Sequence, residues 1–440
     1  MEPMTPDPAR TAGAPRDAHA AGAAVDPQVA AAEGAADDAP ASSGAFAGTV
    51  RAQDPQDATA SGAPLAPGRR IPFLDAARAV AIVGVVLMNA TTVVMASERA
   101  GEAPGSTLAS VVDGGLSLLF AGKSRALLMV LLGVGAVLAL RSVRDRGGRP
   151  AAVMVRRYAV LGLLFGLPHL AVFNGDILTH YALTALALTP LLPLLLAGSR
   201  ARPLVAAGVL FALAPVVESL LDLGDLGVWS MQVAPLPQTL GFFCAGVWLA
   251  RRPELDPRSG AAVPTRLPAV FVWTGLAAQV LGLATLYLRD VLFPMELDAD
   301  GAPVNLTADG MPDVPAGGQM LVSLSGTFTG LGGAMFLLGL TWWLLRRDRT
   351  AARMLHGLAP LGRITLTVYL ASTAVFLLTM GPFETQVPLL VQYGIALVLL
   401  AAALVFAHLW QRAFLAGPAE WVWRSLTHLR PVPFRRAHRR

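Results

Sequence analysis

The sequence predicts an all-α polytopic membrane protein of about ten transmembrane helices plus a short interfacial or re-entrant helix. Three observations carry that expectation. Of 440 residues, 54% are apolar and 14% charged, against roughly 25% charged in soluble domains. The apolar residues fall in blocks of about twenty, the length that crosses a bilayer core as a helix. Arginines collect in alternate gaps between the blocks, the asymmetry that the positive-inside bias produces. A water-soluble globular enzyme is excluded. The single Cys244 excludes disulfide scaffolds and cysteine metal centres. Basic residues are 33 Arg and one Lys beside abundant Ala; this reads as GC-rich bacterial coding, with no nucleic-acid partner.

Residues 1–68 form the first domain. They are rich in Ala and Pro, with Phe46 their only aromatic residue. Such a segment cannot bury enough apolar surface to offset its ordering entropy, so a disordered cytoplasmic tail is expected. No signal-peptide core precedes the first apolar block. The membrane domain, 69–412, contains ten spans at 72–96, 122–141, 158–174, 177–198, 203–221, 235–250, 267–288, 319–345, 364–381 and 388–411. Residues 107–121 are apolar but short and broken by Asp113-Gly114-Gly115; an eleventh span or an interfacial or re-entrant helix fits them. Loop charges favour the second option. With ten spans, one side takes six Arg over 141–157, Arg200 and Arg202, four over 251–266, five over 346–363 and seven after Gln411. The opposite side takes Arg99, Arg289 and the acidic loops 218–225 and 290–313. A multi-pass protein of the bacterial plasma membrane with both termini cytoplasmic follows, ending in a basic tail, 413–440, suited to anionic lipid.

An ionisable group inside the bilayer costs roughly 2.5–3.5 kcal/mol on insertion scales, so each one needs a reason. Asp75 and Arg78 are spaced for an i,i+3 pair at the inner end of the first span. They read as a helix-end ion pair or, for Arg78, as a contact to an anion entering from the cytoplasm. Asn89 stands about 21 Å further along that helix. It suits either interhelical bonding or substrate contact. His169 follows the helix-breaking Pro168, and Asn174-Gly175-Asp176 leaves room only for a tight turn. His169, Asp176, His180 and Tyr181 therefore meet at the outer end of one hairpin. A His beside a carboxylate is the minimal kit for general-base chemistry; two His and one Asp are too few for a metal site, and mutual structural satisfaction is the alternative. Lys123 and Arg125 lie on the same side, placed to stabilise an oxyanion, to bind an anionic acceptor, or to snorkel. Arg363 and Thr367 share a face of the ninth span. Two polar zones result: an inner one (Asp75, Arg78, Arg157, Arg363) and an outer one (Asn89, His169, Asp176).

These residues resemble the YeiB-like family, domain of unknown function 418. The matching stretches are Leu74-Asp75-Ala76-Ala77-Arg78, Met88-Asn89, Gly122-Lys123-Ser124-Arg125, Arg156-Arg157, His169, Gly175-Asp176-Ile177-Leu178 and Tyr181-Ala182. The C-terminal half adds Gly362-Arg363-Ile364-Thr365-Leu366-Thr367-Val368-Tyr369 and Gly417-Pro418-Ala419-Glu420-Trp421-Val422-Trp423-Arg424. Ala79 stands where the family has Gly, so a looser packing of the first helix is expected. The opening Leu-Asp-x-x-Arg is distantly similar to that of the transmembrane acyltransferase group, whose members pass an acyl group from cytoplasmic acyl-CoA to a sugar hydroxyl or amine across the membrane. Through that link, the resemblance implies acyl transfer to an extracytoplasmic glycan or lipid headgroup. Arg78, Arg157 and Arg363 would bind CoA phosphates, His169 with Asp176 would serve as base, and Asn89, Lys123, Arg125 and Tyr181 would contact the acceptor. No bound cofactor is expected; acyl-CoA would be a co-substrate. A transporter or flippase for a small anionic solute and a non-catalytic membrane component remain the alternatives, and oligomeric state is not legible.

Overall fold

The computed structural model describes residues 71–92, 107–173, 175–222, 230–255, 265–296, 304, 314–381 and 387–436. The expected N-terminal tail and the end of the basic tail lie outside the described residues.

Every regular element among the described residues is helical. Helices α1 (Pro72–Thr92), α2 (Thr107–Phe120) and α3 (Lys123–Asp145) open the domain. Helix α2 passes directly into α3 through Gly122, whose φ of 73° suits a residue without Cβ. The two count together as one span. Helix α4 (Pro150–Val160) continues through a π-helical stretch, Leu161–Gly166, into α5 (Leu167–Leu170). Pro168 has no N–H to give to the turn before it, and the helix widens there instead of breaking. Helices α6 (Leu178–Leu188) and α7 (Leu192–Leu196) make up the fourth predicted span, divided at Pro190. Next come α8 (Arg202–Asp222), α9 (Ser230–Val233), α10 (Leu236–Ala250), α11 (Leu267–Leu292) and α12 (Ala316–Arg347). Helices α13 (Arg349–Gly362), α14 (Thr365–Thr379), α15 (Leu389–Ala413) and α16 (Pro418–His428) complete the order.

Seven helices are long and apolar enough to cross a membrane, or eight if the pair α13–α14, bent by 75°, is one span. That is fewer than the ten expected. The shortfall lies in α6 and α10, apolar but only 11 and 15 residues long, about 16 and 22 Å. Both still run between the same two ends of the bundle. The segment from Asp176 through α6 and α7 ends at Gly198 and Ser199, whose carbonyls accept bonds from Arg251 at the end of α10. The start of α10 meets α6 at the opposite end, where Thr239 bonds His180.

Backbone approaches through small residues hold the bundle together, as bilayer packing requires. Helices α11 and α12 form an antiparallel pair in which Gly282 faces Ser325, Gly275 faces Gly332 and Pro268 faces Gly339. Each series steps by seven residues, so one narrow seam runs the length of the pair. A methyl on Gly275 would stand 2.6 Å from the Phe336 nitrogen. Helix α1 packs as closely: Gly362 lies directly on the Asp75–Ala79 backbone. The expected looseness at Ala79 is absent because Gly362, on the partner helix, provides the space.

The basic connections gather at one end. Arg251 lies in the field of Arg141, Arg200 and Arg202, and His428 lies among Arg146, Arg156, Arg157 and Arg430. The segment after α15 folds back there: α16 packs on α4 and α14, and Leu415 and Arg436 bond across to Phe434 and Ala413.

Candidate functional site

At the basic end, a cavity of about 670 Å³ opens between α1, α3, α4, α14 and α16. The sequence places Asp75, Arg78, Arg157 and Arg363 in one zone, and all four line this cavity. Asp75 anchors the cluster: its Oδ2 accepts a 2.8 Å bond from Arg363 Nε, and its Oδ1 lies 3.7 Å from Arg78 Nη1. Arg363 also donates to Gln411 Oε1 at 3.1 Å, so two neighbours already hold it. Arg157 is held differently. Its guanidinium lies 3.9 Å from the Trp423 ring centroid, Trp423 Nε1 donates to the Arg157 carbonyl at 2.6 Å, and its Nε has no hydrogen-bond partner among the described residues. Arg141, Asp145, Glu420 and Arg424 complete the charged lining, giving five arginines against three carboxylates. The mouth is therefore a net cationic funnel that raises the local concentration of anions.

In the sequence Glu420 stands out only as part of a motif; the structure gives it a task. Its carboxylate accepts bonds from Leu366 N (2.7 Å), Thr367 N (3.2 Å) and Thr367 Oγ1 (2.6 Å). It thus caps the N-terminus of α14 from another helix, satisfying two of the donors a helix start leaves open. Burial raises the Glu420 pKa above the usual carboxylate value, and these bonds oppose the rise. The cap fixes α16, and with it Trp423, at the rim of the cavity.

Away from the mouth, the cavity becomes apolar and ends against Ile177, Leu178, Tyr181 and Tyr369. Behind that wall is the hairpin end. His169 Nδ1 stands 2.7 Å from Asp176 Oδ1 and Nε2 stands 2.9 Å from Thr373 Oγ1. His169 and Asp176 are buried, at 5% and 4% exposure. Asp176 is itself fixed by Leu178 N (3.0 Å) and Thr179 N (2.8 Å), so it also caps α6. A carboxylate bonded in this way accepts from Nδ1, which makes Nδ1 the donor nitrogen and turns Nε2 to the Thr373 hydroxyl. The Tyr369 ring packs on the imidazole at a centroid distance of 4.8 Å and separates it from the cavity. Asn89 lies beside the Tyr369 hydroxyl, and its Nδ2 makes no hydrogen bond among the described residues.

The other outer residues divide. His180 has both ring nitrogens engaged, with Gln232 O at 2.7 Å and Thr239 Oγ1 at 2.8 Å, and reads as a structural joint between α6 and α10. Tyr181 lines the cavity and donates to the Arg125 carbonyl at 2.8 Å. The Arg125 side chain is exposed. Lys123 is buried, donates to Ser117 O at 3.1 Å and lays its stem on Gly333 of α12. Neither basic side chain lines the cavity. Among the described residues no cluster of three His, Cys, Asp or Glu could hold a metal. Sequence reasoning misses Thr373, Glu420 and Trp423. A tryptophan and a glutamate among helix residues in the 417–424 motif are the available signal; a threonine on an apolar helix gives none.

Comparison with known proteins adds a family. Residues 301–430, which include α12 to α16, match the model described as Protein of unknown function (DUF418). Over 372 residues, covering 84% of this chain and 97% of the relative, the chain is 24% identical to the uncharacterized 39.9 kDa protein in the amylase 3' region of Bacillus acidopullulyticus. It is 27% identical over 330 residues to the uncharacterized protein YxaH of Bacillus subtilis (strain 168), covering 70% and 79% of the two. The matched region contains Arg363, Tyr369, Thr373, Glu420 and Trp423, and the N-terminal motifs that resemble the same family provide Asp75, Arg78, His169 and Asp176: the chain is a multi-pass membrane protein whose residues 301–430 match DUF418.

Proposed function

We propose that this protein is a membrane-bound acyltransferase of the bacterial plasma membrane, with both termini cytoplasmic. It would take an acyl group from cytoplasmic acyl-CoA and deliver it to a glycan or lipid headgroup on the other side. The observation that supports this reading is the continuity of the cavity, from an arginine-rich mouth to a wall directly in front of the His169–Asp176 pair. Its volume lies in the range of small-molecule sites. The anionic end of the donor would rest at the mouth, and the acyl end would point into the apolar end.

The geometry divides the labour among the arginines. Asp75 bonds Arg363 and lies beside Arg78, so these two shape the mouth. Arg157 on Trp423, with Arg141, would supply the charge for phosphate groups, and planar guanidinium suits that work. His169, oriented by Asp176 with Nε2 toward Thr373, would accept a proton there. Thr373, which bonds His169, stands about 12 Å along α14 from the helix start next to Arg363; an elongated donor is what such a separation serves.

Titration of acetyl-CoA and of a longer acyl-CoA onto the detergent-purified full chain tests the reading. Binding weakened by about tenfold or more in Arg157→Gln, and relieved by high salt, is expected. Absence of binding by either donor, or binding indifferent to Arg157→Gln, would overturn it.

A further inference from the structure

We propose that Thr373 is the nucleophile of this site and carries the acyl group as a covalent ester between donor and acceptor; this rests on the acyl-transfer reading above. If His169 acts as a base, it can do so only through Nε2, because Nδ1 is committed to Asp176. The hydroxyl within reach of Nε2 is that of Thr373, at 2.9 Å. Thr373 is 2% exposed, so no acceptor hydroxyl can share Nε2 while Thr373 occupies it. Carboxylate, imidazole and hydroxyl thus stand in the order that activates a nucleophile: a base touching the hydroxyl and a carboxylate fixing the base. The carboxylate is in turn fixed by two backbone N–H groups, and α14 by the Glu420 cap, so each member is set on a rigid element.

The steps balance without any further reactant. Thr373 Oγ1 attacks the thioester carbonyl while its proton passes to His169 Nε2. The C–S bond breaks, the departing CoA sulfur takes that proton, and acyl-Thr373 remains. An acceptor hydroxyl then attacks the ester carbonyl, giving its proton to Nε2; the C–O bond to Thr373 breaks and Thr373 Oγ1 recovers the proton. The route from the cavity to Thr373 passes Tyr369, one turn earlier on α14. The Tyr369 hydroxyl meets Ile177 N at 3.3 Å and Gly175 O at 3.5 Å, with the Asn89 side chain beside it. Rotation of this ring would open the path.

A covalent ester makes the first step observable without the acceptor. The full chain in detergent, given acetyl-CoA and radiolabelled CoA, should exchange label into acetyl-CoA. Acid-quenched protein should carry one acetyl group on the peptide containing 365–379. Thr373→Val should lose the adduct and lower exchange by on the order of 10²-fold or more, as should His169→Gln. Thr373→Ser should recover both, with the acetyl on the serine. This rescue separates a nucleophile from a merely structural hydroxyl and does not depend on the valine variant folding. Acyl transfer to lipid or glycan with no exchange and no adduct would overturn the proposal and leave acyl transfer standing. Absence of exchange, adduct and acetyl-CoA binding together would overturn both.

Discussion

Two glycines on helix α13 should respond to the same substitution with opposite signs. Gly362, in the last turn, is buried directly on α1, and a Cβ there would overlap the Asp75 carbonyl oxygen and stand 2.9 Å from the Ala79 nitrogen. Both are backbone atoms of a packed helix, so no side chain can move out of the way. Overpacking of this kind costs about 1–3 kcal/mol. The displacement also acts on the cavity mouth: Arg363 follows immediately, and its 2.8 Å bond to Asp75 spans the same two helices. Gly357, five residues earlier, has open space where a Cβ would stand, with nothing within 4 Å. Alanine there only removes backbone freedom from the unfolded chain, a gain of about 0.4–1 kcal/mol. Thermal unfolding of the two purified variants in one detergent at one scan rate gives the comparison; a fixed rate matters because such unfolding is often irreversible. Gly357→Ala is expected to unfold above the unaltered protein and Gly362→Ala below it. A Gly362→Ala protein as stable as the unaltered one would refute the close α1–α13 contact.

Other expectations follow from single contacts. Arg251 closes α7 by donating to Leu195 O, Ser199 O and Gly198 O; Arg251→Met should lower the unfolding midpoint, with a cost of about 1 kcal/mol because the group is partly solvated. Glu420→Ala removes the cap of α14 and should destabilise by about 0.5–2 kcal/mol, with a parallel loss of acyl-CoA affinity as Trp423 loses its position. Trp423→Leu should weaken acyl-CoA binding with a smaller effect on stability, because the lost contact to Arg157 amounts to about 0.5–2 kcal/mol. Burial and then the charges of Arg146, Arg430, Arg157 and Arg156 hold the His428 pKa below its ordinary value. The unfolded chain therefore binds that proton first, and stability falls as pH drops below about 6.5. His428→Asn should flatten that part of the pH–stability curve; an unchanged slope would remove His428 as its source.

Much of this arrangement is legible in the residues, for reasons that differ from part to part. The spans are legible because lipid demands long apolar runs, and most runs here have arginine or glycine at one end or both. Asp75 with Arg78 and His169 with Asp176 are legible because each pair is close in sequence, so local geometry brings it together. The Asp75–Arg363 bond is not, since 288 positions separate its partners and only packing of α13 on α1 makes them neighbours. Glu420 capping α14 is the same case across 54 positions. The expected count of spans is high because apolarity alone does not register Pro190, which ends α6, or the shortness of α10. Helix α13 falls between two expected spans and resembles a loop in sequence, because its arginines and His356 face outward and hide the apolar stripe that carries Leu355 and Ala359. The position of Lys123 at the edge of a span suggests an acceptor contact; its side chain turns instead to α12, where Gly333 leaves room for it. The small-residue seam of α11 and α12 is present in the sequence but acquires meaning only once the two helices are paired.

The central claim is that the arginine-lined cavity and the His169 pair serve one reaction. Membranes containing the full chain, given acetyl-labelled acetyl-CoA, should transfer label into extractable lipid or glycan. Membranes with His169→Gln, at equal protein level and with unchanged acetyl-CoA binding, should transfer slower by about 10²- to 10⁴-fold. Full transfer by His169→Gln, or no transfer by the unaltered protein while acetyl-CoA still binds, would contradict it.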